Sequence, residues 1–116
     1  MITKKEELQQ AMQEIEDQFE RDFKKIMDKH LEEFKTEIDE IDLDRIYSWA
    51  GVKTEYFLIE IDEYIGNYRG RIDSYPLEVC IKNFLDYKIP NIKKIFGEKI
   101  DYIVQDFLQK LTNNFN

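Results

Sequence analysis

Residues 3–41 decide the fold, and they read TKKEELQQAMQEIEDQFERDFKKIMDKHLEEFKTEIDEI. Apolar side chains recur here with a mean spacing of about 3.7 residues, close to the helical period and far from the strand period of two. The series is Leu8, Met12, Ile15, Phe19, Phe23, Ile26, His30, Phe34, Ile38 and Ile41, with the weakly polar His30 admitted. The pattern predicts one long amphipathic helix over residues 1–41, with Thr3 and Glu6 as a capping box at its start.

The rest of the chain supplies helices to lie beside this one. A helix of that length measures roughly 55 Å at 1.5 Å per residue, so its apolar stripe needs a long cover. Residues 75–112 carry helical apolar spacing and nearly match its length, with Pro90 either kinking one helix or starting another. We therefore predict an all-α bundle in which the N-terminal helix packs against two to three further helices, the second long one kinked near Pro90.

Residues 42–69 are predicted to hold central helices or a turn region. A short helix passes through Ile46 and Trp49 and ends at Gly51, and Gly66 and Gly70 belong to the main loop. Between them, the apolar spacing of residues 56–68 favours a helix. The same residues also alternate as a strand would, because Phe57, Ile59 and Ile61 are separated by other side chains. The alternative is an α+β fold with a small hairpin in residues 55–73.

Composition places the chain among small acidic proteins. It has 116 residues, a net charge of −8, four Gly and two Pro, which favours one ordered helical domain over residues 1–116. No apolar run reaches the eighteen or so residues that a membrane span needs, and the single Cys80 has no partner for an intramolecular disulfide. We expect a cytoplasmic protein that is not associated with membranes.

No group of residues carries the pattern of a catalytic or metal site. His30 lies near Glu33 and Glu37 on one helix, but a metal site needs three or four ligands that converge. An EF-hand loop that starts at Asp39 or Asp42 lacks the required Gly and Glu. We therefore predict no enzyme activity, no catalytic residue, no cofactor and no metal.

The predicted function is protein–protein interaction through an amphipathic helical surface, as a homodimer or coiled coil or on a separate protein partner. The interface residues are predicted to be Phe19, Phe23, Ile26 and Phe34, with Glu32, Glu33, Asp39 and Glu40 added if the partner is basic. Residues 1–45 hold 15 acidic and 8 basic side chains, which disfavours direct contact with nucleic acid.

The acidic N-terminal helix also suggests a second function. Small acidic inhibitors encoded by phages, including anti-defence and anti-CRISPR proteins, bind the basic channel of a nucleic-acid enzyme. The size and charge of this chain fit that class by analogy. The eight basic residues within the first 45 weigh against a close mimic of nucleic acid.

Two short motifs suggest a third function. Trp49-Ala50-Gly51 with Phe57, and Tyr102 with Asp106, are similar to the W-x-G turn and the Y-x-x-x-D/E pattern of the helical-hairpin substrates of type VII secretion. The resemblance implies an exported antiparallel helical dimer. It also implies a hairpin bend at Trp49 and Gly51, and recognition of Tyr102 and Asp106 by the secretion machinery.

Overall fold

The computed structural model describes residues 3–114, which form a bundle of three long helices without a strand. The helices are α1 (Lys4–Glu37), α2 (Ile46–Arg69) and α3 (Tyr75–Asn114), and two short 3-10 turns, Ile38–Glu40 and Leu43–Arg45, connect α1 to α2. The all-α prediction is confirmed, and the alternative of a hairpin in residues 55–73 is wrong.

The bundle is a rod in which α1 and α3 run in the same direction, α2 runs antiparallel to both, and each helix packs against the other two. Its principal extents are 70 × 23 × 18 Å. Lys88 of α3 lies 3.3 Å from Glu20 of α1, and Arg69 at the end of α2 pairs with Glu78 at the start of α3. The two connections are short, so each helix packs against the one that follows it.

Helix α1 follows Thr3 as predicted, but it ends at Glu37 and not at residue 41, and the described residues show only the Thr3 half of the predicted capping box. The Thr3 hydroxyl accepts a hydrogen bond of 3.1 Å from the Glu6 backbone N–H, as an N-cap does. The buried face differs in one detail, because Met27 and Leu31 are buried whereas Ile26 is half-exposed. α1 packs against two helices at once, and the buried stripe widens to face both of them.

Helix α2 corrects the prediction for the middle of the chain. Gly51 does not end a helix, and Gly66 does not start the loop, since α2 continues through both and the connection to α3 spans only residues 70–74. Ala50 and Phe57 are buried on one face on either side of Gly51. Packing of that face outweighs the roughly 1 kcal/mol that a glycine costs inside a helix.

Helix α3 passes through Pro90 as one element, so the alternative of two separate helices is wrong. Proline has no backbone N–H, and the carbonyl of Asp86 therefore lacks its usual helical donor. Pro90 itself is exposed. Buried residues continue in phase from Leu85 before the proline to Ile92 after it, which keeps both halves of α3 on the core.

Aromatic rings from all three helices fill the core. The rings of Phe57 on α2 and Phe96 on α3 stack with centroids 4.3 Å apart, and Phe19 on α1 meets Tyr68 edge-on at 4.7 Å. Such offset and edge contacts are the preferred aromatic geometries.

Within residues 3–114, none of the helices has a stretch that is both long and apolar enough to span a bilayer.

Candidate functional site

The predicted apolar interface residues lie inside the bundle. Phe19, Phe23 and Phe34 are 0%, 2% and 0% exposed, and Ile26 is half-buried at the edge of the core. Their cover is α2 and α3 of the same chain, so contact with a partner through these rings would require the bundle to open. The homodimer stays a prediction, although the α1 stripe no longer needs a second chain to cover it.

The four predicted acidic residues divide into two pairs. Glu32 pairs with Lys35 at 3.2 Å on the exposed side of α1, and Glu33 accepts a hydrogen bond of 3.1 Å from Lys53. Asp39 and Glu40 lie exposed in the bend after α1 and form no ion pair with any residue of the described chain. Of the four predicted acidic residues, Asp39 and Glu40 are the two whose carboxylates have no ion-pair partner within residues 3–114 and could meet a basic partner.

A buried lysine joins α1 to α2. Lys53 is 4% exposed, and its Nζ donates to Glu33 at 3.1 Å and to Glu37 at 3.4 Å. Glu37 also accepts a hydrogen bond of 2.8 Å from the indole N–H of Trp49. The two carboxylates remain partly exposed, so the ammonium is the group that depends on its partners for compensation.

His30, one helical turn before Glu33, forms a second polar contact between α1 and α2. Its Nε2 lies 3.1 Å from Glu60, which also accepts a hydrogen bond of 2.9 Å from Lys29. The hydrogen bond from Lys29, joined by the one with His30, holds the pKa of Glu60 below its usual value although burial opposes this. The ring is 6% exposed and its Nδ1 has no hydrogen-bond partner. Within residues 3–114, no three potential metal ligands converge here or elsewhere.

A third polar contact ties Asp22 to Tyr64 across the same helix pair. The Tyr64 hydroxyl donates to the Asp22 carboxylate at 2.5 Å. Burial raises the pKa of Tyr64 well above its usual value, and the bond to Asp22 raises it further. Burial also raises the pKa of Asp22, but hydrogen bonds from Tyr64 and Gln18 outweigh that effect and leave it lowered. All three polar contacts therefore fasten α1 to α2, and Asp22, Tyr64 and Glu60 also line an open concavity of about 400 Å³ between these helices.

A concave surface lies on the other side of α1, between its last turns and α3. This α1–α3 groove has a volume of about 760 Å³. Its apolar lining is Leu31 and Ile38 from the α1 side and Ile103 and Phe107 from α3. Its polar lining consists of three lysines, three carboxylates and one tyrosine: Lys35, Lys99, Lys110, Asp39, Glu98, Asp106 and Tyr102.

The groove collects residues that the sequence singled out for separate reasons. Asp39 belongs to the predicted basic-partner surface, while Tyr102 and Asp106 belong to the Y-x-x-x-D pattern. Tyr102 is 71% exposed, and Asp106 pairs with Lys110 at 3.0 Å one turn further along α3. Trp49 and Gly51 lie within the first two turns of α2, so the helical bend implied by the W-x-G resemblance falls earlier, at residues 38–45.

Several residues that matter here were not predicted. Lys53 was not expected in the interior, although its spacing between Ala50 and Phe57 places it on the buried face. Ile103 and Phe107 belong to the helical apolar spacing of residues 75–112, and the structure leaves them half-buried in the groove. Their spacing gave no sign of this, because it does not tell where α1 ends beside them.

Comparisons with known proteins identify no relative. No family model, curated protein or solved structure matches this chain.

Proposed function

We propose that this chain is a non-enzymatic protein–protein interaction protein, and that its partner binds in the α1–α3 groove. The observation that carries the proposal is the groove itself, a concave surface of about 760 Å³ with apolar side chains at its floor and charges at its rim. Protein interfaces commonly have this arrangement of an apolar centre and a polar rim.

The rim indicates the kind of segment that fits. Three lysines and three carboxylates line the groove, so its charges balance although the whole chain is acidic. A partner segment therefore presents apolar side chains between charges of both signs. Tyr102 stands exposed at the rim, and tyrosine is among the residues enriched at protein interfaces.

The experiment is site-specific photo-crosslinking in the producing cell. A photoreactive phenylalanine derivative replaces Tyr102 at the groove in one variant and Tyr87 in the control. Tyr87 is a comparably exposed tyrosine of α3 outside the groove lining. We expect a protein adduct of defined mass at position 102 and none at position 87. An adduct of twice the mass of the chain would identify a second copy as the partner.

A second variant tests whether the groove, rather than the tyrosine alone, is recognised. Phe107→Arg places a charge at the apolar floor and should abolish the adduct at position 102, while circular dichroism shows that the helices persist. The same adducts at positions 87 and 102, or no adduct at either, would contradict the proposal.

A further inference from the structure

Helix α2 carries a second row of apolar side chains to one side of its buried face. We name Trp49, Val52, Tyr56 and Ile59 the outer stripe. Tyr56 and Ile59 are 50% and 52% exposed, and Trp49 and Val52 are half-buried. The steps between the four residues are three, four and three, which is the spacing at which one helix packs against another in a coiled coil.

At its Trp49 end, the outer stripe adjoins a shallow concavity beside the connection between α1 and α2. This concavity, of about 560 Å³, is lined by Ile41 and by Trp49 and Val52 of the stripe. Glu40 and Asp42 also line it. The apolar surface therefore continues from the end of α1 along roughly three turns of α2.

The charges around the outer stripe are acidic and largely unpaired. Glu55 precedes Ile59 by one turn, and Asp62 and Glu63 follow it by one turn, so all three lie beside it on the helix surface. These three side chains are exposed, and none forms an ion pair with another residue in the described range 3–114. Arg45 is the one basic side chain among the described residues that line the concavity.

We infer that the outer stripe binds an amphipathic helix of another protein whose apolar face is flanked by lysine or arginine. Helical spacing on α2 matches the apolar face of such a helix, and the free carboxylates match its basic flanks. A second copy of this chain fits less well, because α2 pairing with α2 would bring three carboxylates from each copy into one interface. The inference rests on the proposed function only in that the partner is a protein, and it concerns a different face.

The experiment uses the full chain and two synthetic helical peptides of about three heptads. Both peptides carry leucine at the seam positions, with lysine on the flanks in one and glutamate in the other. Fluorescence anisotropy of the labelled peptides should show the lysine peptide binding at least about tenfold more tightly. Its affinity should fall as salt is added, because salt screens the exposed charges.

Paired variants locate the binding site. Tyr56→Ala with Ile59→Ala should weaken binding of the lysine peptide at least about tenfold. Tyr75→Ala with Val79→Ala, an exposed apolar pair on α3, should leave it unchanged. Phe107→Arg in the groove should also leave it unchanged, so that loss of groove binding and loss of stripe binding are separate results.

Three outcomes would overturn the inference. They are equal affinity for both peptides, unchanged affinity in the variant that lacks Tyr56 and Ile59, and a dimer that this variant splits into single chains. The last outcome, measured by light scattering after size exclusion, would assign the outer stripe to a second copy.

Discussion

At the scale of single residues, Lys53 shows how unequal the members of one polar cluster can be. Its ammonium is buried, whereas the carboxylates of Glu33 and Glu37 keep partial access to water. A buried charge without a partner is costly, but an exposed carboxylate that loses its partner is solvated again. The cluster therefore responds differently according to which side is removed.

We expect removal of both carboxylates to destabilise the fold by about 3 kcal/mol, since Glu33→Ala with Glu37→Ala leaves the ammonium of Lys53 buried and uncompensated. Lys53→Met, which replaces the ammonium by an apolar side chain of similar volume, should change stability by less than about 1.5 kcal/mol. Urea denaturation followed by circular dichroism measures both.

The matched control for this pair is Glu32→Ala, which removes an exposed carboxylate of the same helix and should cost little. If Lys53→Met were as damaging as the double variant, the cluster would stabilise the fold by attraction between the charges. The loss of stability in the double variant would then not be explained by the buried Lys53 ammonium losing its partners.

Tyr64 gives the bundle a specific sensitivity to alkali. Its pKa in the folded chain lies above the usual 10.0, first because it is buried and then because it donates to Asp22. Its stabilising contribution is complete below pH 10 and is lost as the pH rises further, because the unfolded chain releases the proton first. Tyr64→Phe should therefore lose less free energy of unfolding than the wild type between about pH 9 and pH 11.

Equilibrium unfolding at several alkaline pH values measures this difference. Tyr87→Phe is the control, since it removes a tyrosine hydroxyl that is exposed on the surface of α3. Parallel curves for the wild type and Tyr64→Phe would show that Tyr64 ionises with the same pKa in the folded and unfolded chains.

The sequence predicts the buried positions of α1 more fully than its polar contacts. The spacing identifies Phe19, Phe23 and Phe34 as buried, because a stripe at helical period needs only local geometry. The spacing also placed Ile26 on the stripe, although packing against two helices buries Met27 instead. The partners of Lys53 could not be predicted, because they depend on the register of α2 against α1.

At the scale of helices, glycines lie where no turn or close contact requires them. Gly51, Gly66 and Gly97 are helical, and an added Cβ would meet nothing within 4 Å at any of them. No neighbouring helix therefore approaches Gly97 closely within the described residues. A glycine in a helix interior costs backbone entropy without a compensating contact here.

Gly66→Ala and Gly97→Ala should each stabilise the protein by about 0.5 to 1 kcal/mol, because alanine has less conformational freedom to lose. Thermal denaturation should show a higher midpoint for each, and the two gains should add since the sites lie on different helices. Gly70→Ala is the comparison outside the helix interiors, where an added Cβ would touch the Gly66 carbonyl at 3.5 Å. A lower thermal midpoint for Gly97→Ala would contradict the conclusion that there is room for a Cβ at this position.

Sequence patterns predicted the presence of the helices correctly, but they did not predict where the helices end. Gly51 and Pro90 are strong local stop signals, and both lie inside continuous helices. The information that overrides them is also in the sequence, since buried positions keep one phase from Ile81 to Ile100 across Pro90. Propensity acts on single residues, whereas packing acts on the whole face of the helix.

At the scale of the whole molecule, the offset between α1 and α3 creates the groove. Glu20 lies beside Lys88, and Ile38 shares the groove with Ile103 and Phe107, so α3 extends past the end of α1. This offset is set by the lengths of two connections and of α2 together. The apolar spacing within one helix does not depend on the offset between α1 and α3, so the groove could not be predicted from the sequence.

Because α1 and α3 run in the same direction, the start of α1 and the end of α3 lie at opposite ends of the rod. Dyes on cysteines introduced at Lys5 and Asn113, with Cys80→Ser to avoid a third label, should report a separation close to the 70 Å length by resonance energy transfer. If α3 folded back at Pro90, the labels would lie within about 20 Å of each other. The double-labelled chain in denaturant, with a broad distance distribution, is the control.

The parallel course of α1 and α3 also determines how the rod resists mechanical force. A pull on residues 4 and 114 draws these two helices past each other along the long axis, so their contacts are loaded in shear and must yield together. In a two-helix hairpin, the same pull would separate contacts one turn at a time. A force applied at these two residues should therefore meet more resistance here than in a two-helix hairpin of the same length.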